Sequence, residues 1–539
     1  MAVSSHPFLM KIDMRKIIVL ILGLGLSVLA FGQNPDAPVN WHLKDQASDQ
    51  LQGVSVEKSY TELLSGKEKR EVVVAILDSG VDIYHEDLKG AIWVNENEIS
   101  GNGIDDDKNG YIDDVNGWSF IGGAEGDVEF DNLEFTRIFI DLNKKFVGKT
   151  EKTIDKKNKK EFERYLVFKK QFDDRLSEAE AAYNEFMQVY MAYEQAQALM
   201  QELTRKGNPT IEEISNVETS NEMEEAFKGF VLEVKTTGAE SQLEEGKAHF
   251  ENTLKYMYNL DFDSRHIVGD NYADTSEKNY GNNNVKGPES THGTHVAGIV
   301  SALRDNGIGA QGINDSNVKI MSVRVVPNGD ERDKDVANAI RYAADNGADI
   351  INMSFGKSYS PQKSVVDEAV AYASSKGVLL IHAAGNSSKN IDNKDNFPNK
   401  KPLKGKCVKS WIEVGSSTWT PAELMISDFS NYGKKSIDIF APGSDIYSTT
   451  PENEYKMLSG TSMAAPVVTG VAALVMTYYP ELTAQEVKDI LINSAADFKK
   501  LRVDIPGESQ ELVKFKKLGK NGGVVNAYNA IRLAQEKKQ

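Results

Sequence analysis

Between residues 296 and 480 the chain alternates short apolar runs with stretches of helical spacing, and this alternation limits the folds open to it. Val318 to Val326, Ile350 to Met353 and Val378 to His382 have the length and composition of buried strands. Asp335 to Asp345 and Val365 to Ser375, which lie between them, have the apolar spacing of helices. Strands that alternate with helices in this way predict an α/β fold built on a mostly parallel sheet.

A further buried strand is predicted at Val72 to Leu77, a continuous apolar run that is followed by Asp78-Ser79-Gly80. In parallel sheets, functional groups gather where the strands end at their carboxyl edge. Asp78 therefore stands where a carboxylate would face a site, although an aspartate at a strand-to-turn junction is also common turn chemistry.

Residues 121 to 265 interrupt this pattern, because they are rich in Glu and Lys and lack extended strand-like alternation. Apolar residues at alternating steps of four and three form the seam of a long amphipathic helix: Phe172, Leu176, Ala179, Tyr183, Phe186, Tyr190 and Tyr193. Gly207-Asn208-Pro209 is expected to end that helix, and two more helices are expected near 210–232 and 239–258. The segment is therefore predicted to be an inserted helical hairpin region, which either packs on the protein itself or docks a partner.

The start of the chain has the composition of an export signal. Lys11, Arg15 and Lys16 precede the apolar run Ile17 to Ala30, and small residues follow where a signal peptidase would cut. The run is shorter than the ~20 residues that a membrane-spanning helix needs, which favours a cleaved signal over a retained anchor. We therefore expect an exported protein, periplasmic or secreted, with no stable membrane span after signal removal.

The predicted organisation has four parts, since 539 residues exceed what one hydrophobic core usually supports. These are a signal peptide at 1–32, a short leader at 33–66, a discontinuous α/β domain at 67–120 and 266–539, and the helical insertion at 121–265.

A formal net charge of −18 argues against nucleic acid as a partner, because phosphate binding needs a basic face. The single cysteine, Cys407, excludes an intrachain disulfide and any multi-cysteine metal site.

Three more segments carry residues suited to nucleophilic catalysis. His292 lies in Thr291-His292-Gly293-Thr294-His295 at the start of an apolar helix, where a metal pair with His295 is the competing interpretation. Ser462 lies in Gly460-Thr461-Ser462-Met463-Ala464 ahead of another apolar helix, where an ordinary N-cap serine is the alternative. Asn386 follows a predicted strand and a glycine, and its amide suits an oxyanion donor as well as a turn.

Taken in chain order, Asp78-Ser79-Gly80, His292-Gly293-Thr294-His295, Asn386 and Gly460-Thr461-Ser462-Met463-Ala464 resemble the motifs of the subtilisin-like serine peptidases (the S8 family). The resemblance covers residues 71–118 and about 288–500. It implies a three-layer fold of that family and a serine endopeptidase without a catalytic cofactor, acting on protein or peptide substrates. Asp78, His292 and Ser462 would then form the triad, with Asn386 as oxyanion donor. In that family the segment matching Ser354-Phe355-Gly356 binds the substrate backbone and walls the pocket beside the cleaved bond.

The chain departs from the family pattern in two ways. The gap between Asp78 and His292 is much longer than the usual few dozen residues, and the helical insertion accounts for it. The leader is also shorter than the folding propeptide that many members carry.

A loop between residues 102 and 114 predicts a structural calcium site. Asp105, Asp107 and Asn109, followed by Gly110, match the first half of an EF-hand loop, and Asp113 lies just beyond them. The closing bidentate glutamate is missing, so an acidic surface loop is the alternative. Calcium there would stabilise the fold and take no part in catalysis.

Two further functions remain open from the sequence. The first is a catalytically inactive binding protein of the same fold that works through its helical insertion. The second is esterase or peptide-ligase activity from the same triad. Retention of all four chemical groups favours the peptidase over the inactive protein.

Overall fold

The computed structural model describes residues 37–420 and 422–538. The predicted signal peptide at 1–32 lies outside these residues. Chain contacts divide the protein into two compact units. One contains Phe139–Leu260, and the other contains the described residues of Gln33–Ile138 and Asp261–Gln539.

The larger unit is built on a nine-stranded sheet. In spatial order its strands are Ala496–Asp497, Gly523–Val524, Ile439–Pro442, Trp411–Ser417, Leu379–Ala383, Ile350–Met353, Val72–Asp78, Val318–Arg324 and Gly117–Ser119. Each neighbouring pair is parallel except Ala496–Asp497 with Gly523–Val524. The predicted α/β fold with a mostly parallel sheet is therefore confirmed.

The strand Val72–Asp78 is an inner strand of this sheet, and both of its faces are apolar. It pairs in parallel with Val318–Arg324 on one side and Ile350–Met353 on the other. Its alternate side chains enter two different cores: Val74 and Ile76 enter one, and Ala75 and Leu77 enter the other. This alternation follows from the two-residue period of a strand and produces a helix layer on each face of the sheet.

Helices cover both faces. The first core includes side chains of Thr291–Ser301, Thr461–Tyr478, Ala484–Ser494 and Ala527–Lys538, and the second includes those of Asp333–Asp345 and Lys363–Ser375. Small antiparallel pairs complete the unit: Gly122–Gly123 with Gly126–Asp127, Ile446–Thr450 with Glu454–Leu458, and Arg502–Ile505 with Glu508–Lys514. Among the described helices, Thr461–Tyr478 alone is long and apolar enough to cross a membrane, and it is almost wholly buried.

The segment predicted as a short leader packs into the main core over its described part. Trp41, Leu43, Val54 and Val56 are fully buried there. The Trp41 indole N–H donates to the carbonyl of Asp445 at 3.1 Å. The described part of this segment contains the short α-helices Gln46–Asp49 and Val56–Ser59. The segment was predicted to be a leader because its composition is polar overall. Its few large apolar side chains are nevertheless buried, and their burial makes the segment part of the folded unit.

The helical unit, Phe139–Leu260, is shorter at both ends than the predicted insertion of 121–265. Residues just outside it pack in the larger unit, where Ile121, Val128 and Val268 are buried in the second core. The short strands Gly122–Gly123 and Gly126–Asp127 also fall within the range that was predicted to be a helical insertion. Paired glycines carry no periodic apolar signal, which explains why the sequence does not reveal them.

Within the helical unit, Lys159–Thr204 is one helix of 46 residues. It ends at Thr204, and the next residue, Arg205, has a left-handed backbone conformation. The other α-helices are Ile211–Ser215, Glu222–Thr237 and Glu240–Asn252, and the helix Glu134–Phe146 includes the first residue of the unit, Phe139. Tyr190, Tyr193, Phe227 and Val231 form a core of their own. The predicted seam is buried at Phe172, Tyr190 and Tyr193 and half-buried between them.

Candidate active site

Asp78 and His292 meet at the carboxyl edge of the sheet. Asp78 is the last residue of its strand, and His292 is the second residue of the helix Thr291–Ser301. Asp78 Oδ1 lies 2.7 Å from His292 Nδ1 and also accepts from the backbone N–H of Ser79. The Asp78 side chain is 1% exposed and that of His292 is 37% exposed, so the pair joins a buried carboxylate to an accessible imidazole.

Glycine at position 293 permits this approach. A Cβ there would lie 2.1 Å from the carbonyl oxygen of Gly80 and 3.2 Å from the Cβ of Asp78. Because real Cβ atoms do not come so close to backbone, any side chain at 293 would force the helix away from the strand end. The absence of a side chain at Gly293 therefore allows Asp78 and His292 to come within hydrogen-bonding distance.

The environment of His292 favours its charged form. Desolvation lowers the pKa of the ring, but the charge and the hydrogen bond of Asp78, with a smaller effect of Glu289, outweigh it, so the pKa lies above its ordinary value. His295 differs, because burial lowers the pKa of its ring to about 3 and its Nε2 lies 3.0 Å from the carbonyl of Lys456. With His295 fully buried, the structure gives no support to the alternative of a metal pair with His292.

Ser462 is the second residue of the helix Thr461–Tyr478. Its hydroxyl donates to the carbonyl of Ser354 at 2.9 Å, and the Ser354 hydroxyl donates back to the carbonyl of Ser462 at 2.8 Å. Among the described residues, the Ser462 hydroxyl thus takes Ser354 and not His292 as its acceptor. This reciprocal pair fixes the start of the helix against the end of the strand Ile350–Met353.

Two hydrogen-bond donors converge beside Ser462. The side-chain oxygen of Asn386 accepts from both the backbone N–H and the hydroxyl of Thr461, each at 2.8 Å, which directs its amide nitrogen the other way. An ideal Cβ on Gly460 would lie 3.2 Å from that nitrogen and 3.5 Å from the backbone nitrogen of Ser462. The space left empty by Gly460 is therefore within reach of both donors, as an oxyanion requires.

The segment Ser354-Phe355-Gly356 lies beside Ser462. Phe355 is buried, and its ring lies edge-on to that of His382 with centroids 6.5 Å apart. Gly356 is exposed, and a Cβ there would lie 2.9 Å from the side-chain oxygen of Asn396. The structure thus brings the predicted substrate-binding segment next to Ser462 through the Ser354 contacts.

Two contributing residues were missed in the sequence. Asn352 donates to the Ser354 hydroxyl at 2.9 Å and accepts from Thr469 at 2.8 Å, so it locks the segment to the helix of Ser462. Thr461 holds the Asn386 amide. A polar residue inside the apolar run Ile350–Met353 was the available signal for Asn352, whereas Thr461 lay within a motif that was interpreted only for its serine.

The acidic loop brings together a different set of carboxylates from the one predicted. Glu98, Asp105 and Asp107 place an oxygen each within 4.8 Å of one another. Asn109 stays close, since its backbone N–H donates to both Asp105 and Asp107. Asp113 instead accepts from the backbone of Gly101, Asn102 and Gly103 and is not part of the cluster. Carboxylate oxygens of this kind fit a hard cation such as Ca²⁺.

Comparison with known proteins identifies a family and several similar sequences. The sequence model of the Subtilase family matches residues 69–526. "Subtilisin DY" from Bacillus licheniformis is 38% identical over 210 residues, which are 38% of this chain and 70% of that protein. "Thermitase" from Thermoactinomyces vulgaris is 40% identical over 184 residues, 34% of this chain and 60% of that protein. "Cell wall-associated protease" from Bacillus subtilis is 38% identical over 233 residues, 43% of this chain but 24% of that protein.

Proposed function

Because the chain belongs to the subtilase family of serine peptidases, we propose that it is an exported endopeptidase that hydrolyses peptide bonds through an acyl-enzyme. Ser462 is the nucleophile, His292 the general base, Asp78 its orienting carboxylate and Asn386 an oxyanion donor. The observation that carries the proposal is the 2.7 Å contact between buried Asp78 and accessible His292. That contact holds the imidazole in the tautomer whose Nε2 is free to accept a proton.

The first step forms the acyl-enzyme. The Ser462 hydroxyl turns from the Ser354 carbonyl towards His292, gives its proton to Nε2 and attacks the carbonyl carbon of the substrate. Asp78 stabilises the imidazolium that results. The tetrahedral oxyanion lies between the Ser462 backbone N–H and the Asn386 amide, both of which are in place before the reaction and need no reorganisation.

The remaining steps restore the enzyme. The imidazolium gives its proton to the leaving amine, the C–N bond breaks and the carbonyl re-forms as an ester of Ser462. Water then attacks that ester with His292 as base, through a second oxyanion at the same two donors. The acid is released and the Ser462 hydroxyl regains its proton.

We also propose that proteins or peptides are the substrates, with Ser354, Phe355 and Gly356 as one wall of the binding cleft. Export rests on the signal-like composition of residues 1–32, which lie outside the described residues, with a periplasmic or extracellular destination. The helical unit Phe139–Leu260 is proposed as a docking arm for a partner, since exposed charged residues cover much of its surface.

A structural calcium ion is proposed at Glu98, Asp105 and Asp107. Three converging carboxylates repel one another, and a divalent cation would offset that repulsion. We expect added Ca²⁺ to raise the Tm of the protein and the Asp107→Asn variant to lose most of that increase. An equal increase in both proteins would contradict this site.

The proposed activity is tested by digesting an unbiased peptide library and sequencing the products. We expect the wild-type protein to cut within peptides and Ser462→Ala to lose cutting by several orders of magnitude. Ser444→Ala is the matched control, because Ser444 is a buried serine whose hydroxyl bonds only to Ser427 among the described side chains. Absence of cleavage by the wild-type protein would favour an inactive binding protein that uses the helical unit.

A further inference from the structure

The loop that carries Asn386 is held by residues far away in sequence. This oxyanion loop, residues 384–389, follows the strand Leu379–Ala383 and leaves Asn386 itself exposed. Its backbone forms hydrogen bonds with the segment 428–432, and the bridge Asn390–Tyr432 continues the contact beyond it. The direction of the Asn386 amide therefore depends on the segment that braces its loop.

Asn431 is the centre of that brace and is 6% exposed. On the side of the loop that precedes Asn386, the side-chain nitrogen of Asn431 donates to the carbonyl of Ala384 at 2.7 Å. The backbone N–H of Asn431 donates to the carbonyl of Gly385 at 2.8 Å. After Asn386, its side-chain oxygen accepts from the backbone of Ser387 at 3.2 Å and of Lys389 at 2.8 Å. One side chain thus fixes the backbone on both sides of the oxyanion donor.

A second brace comes from the hairpin formed by Arg502–Ile505 and Glu508–Lys514. At its tip, the backbone N–H of Gly507 donates to Asp428 Oδ1 at 2.8 Å. The carbonyl of the same Asp428 accepts from the hydroxyl of Ser388, two residues after Asn386, at 2.7 Å. Asp428 therefore links the hairpin tip to the oxyanion loop.

The tip also packs directly on the loop. Gly507 has a φ of +77°, and a Cβ built on it would lie 2.7 Å from the Cβ of Ser388. The base of the hairpin is anchored nearby, since Val503 is buried in one apolar cluster with Ala384 and Ile391. The hairpin cannot shift without disturbing the side of the loop that follows Asn386.

We propose that Asn431 and the tip of the hairpin 502–514 are positioning elements that hold the Asn386 amide at the oxyanion. The inference rests on the proposed peptidase function. Among the described residues, Thr461 is the one hydrogen-bond partner of the Asn386 side chain, so the placement of its nitrogen depends on the backbone from which it projects. Electrostatic stabilisation of a transition state requires donors that are fixed in advance, and small displacements lose rate rather than substrate affinity.

A double-mutant cycle tests this directly. In subtilisin, where the effect is documented, loss of the oxyanion asparagine costs roughly 10²- to 10³-fold in kcat, which sets the ceiling for any residue acting through it. We expect Asn431→Ala to lower kcat roughly 10- to 100-fold with little change in KM. In an Asn386→Ala background, the same substitution should change kcat by less than about twofold, because the donor it positions is absent.

Asn338→Ala is the matched control for folding effects. Asn338 is 4% exposed and donates to Glu277 and Tyr280, so its loss also removes buried amide hydrogen bonds. We expect a comparable fall in Tm and an unchanged kcat when all proteins are assayed well below their Tm. An Asn431→Ala effect of equal size in both backgrounds, or one confined to Tm, would overturn the proposal. A wild-type protein that hydrolyses nothing would instead overturn the proposed function.

Asp428 tests the hairpin separately. Asp428→Ala removes the acceptor for Gly507, and we expect kcat to fall roughly three- to tenfold with KM unchanged. Asp428→Asn keeps a side-chain oxygen at that place and should restore wild-type kcat. If both variants match the wild-type enzyme, the hairpin tip has no part in positioning Asn386, and the proposal fails for that element.

Discussion

At the scale of single residues, the candidate site depends on which side-chain atoms already form hydrogen bonds within the protein. Asp78 holds Nδ1 of His292, and Thr461 holds the side-chain oxygen of Asn386, so that each leaves one nitrogen available for chemistry. Sequence motifs predicted these residues but not these hydrogen bonds, because a motif does not specify which atom bonds to which neighbour. The hydrogen bond from Ser462 to Ser354 is an example that no spacing would reveal.

The raised pKa of His292 predicts the acid limb of the activity profile. Only the neutral ring can accept the Ser462 proton, so kcat/KM should rise as pH passes upward through a midpoint above 6.5. Glu289 contributes to that increase, and Glu289→Gln should move the midpoint to lower pH. Glu536→Gln, an exposed charge paired with Arg532, is the control. A midpoint unaffected by the Glu289 substitution would contradict this account of the ring.

Gly460 gives a second prediction at this scale. A methyl group there would occupy the space between the Asn386 nitrogen and the Ser462 backbone N–H. We expect Gly460→Ala to lower kcat roughly 10²-fold or more while the Tm changes little. Gly207→Ala is a steric control, because no atom lies within 4 Å of a Cβ at that position and its backbone is not in the left-handed region. Wild-type kcat in Gly460→Ala would show that the oxyanion forms elsewhere.

At the scale of elements, the periodic segments were predicted well and the irregular ones were not. The strand Ile350–Met353 has the predicted bounds, and Lys363–Ser375 begins two residues before the predicted helix. Burial on both faces produces a continuous apolar run that the sequence displays plainly. The brace at Asn431 was not predicted, since it pairs segments that are distant in sequence. Glu98 was missed for a different reason, because it lies just outside the segment that resembles an EF-hand loop.

The segment before the first strand supplies the prediction for this scale. Trp41 is fully buried in the main core, and Trp41→Ala should lower the free energy of unfolding by about 3–5 kcal/mol, measured by denaturant titration. Tyr84→Ala is the control, since that side chain is 82% exposed. A Trp41 variant as stable as the control would show that residues 37–66 do not belong to the folded unit.

At the scale of the whole molecule, the protein combines a peptidase-type unit with a helical unit that has its own core. Buried ionisable groups make the stability of the larger unit depend on pH. Burial, with the nearby charges of His295 and Arg304, lowers the pKa of His42 to about 3. Between pH 3 and 6.5 the unfolded chain therefore binds more protons at His42 than the native state does, and this group destabilises the fold increasingly as pH falls.

Replacing His42 should remove that dependence. Between pH 7.5 and 5.5, the wild-type free energy of unfolding should fall by about 1.4 kcal/mol more than that of His42→Phe. His266→Phe, at an exposed histidine, should keep the wild-type dependence. Parallel pH profiles for wild type and His42→Phe would contradict burial of a neutral ring at position 42.

The central claim is that Ser462 is a nucleophile activated by His292 and Asp78, and mapping of a fluorophosphonate adduct tests it most directly. We expect one adduct per chain, located at Ser462 by peptide mass spectrometry, and its loss in His292→Ala although Ser462 is still present. An adduct at any other residue, or equal labelling of Ser462 in His292→Ala, would contradict the claim.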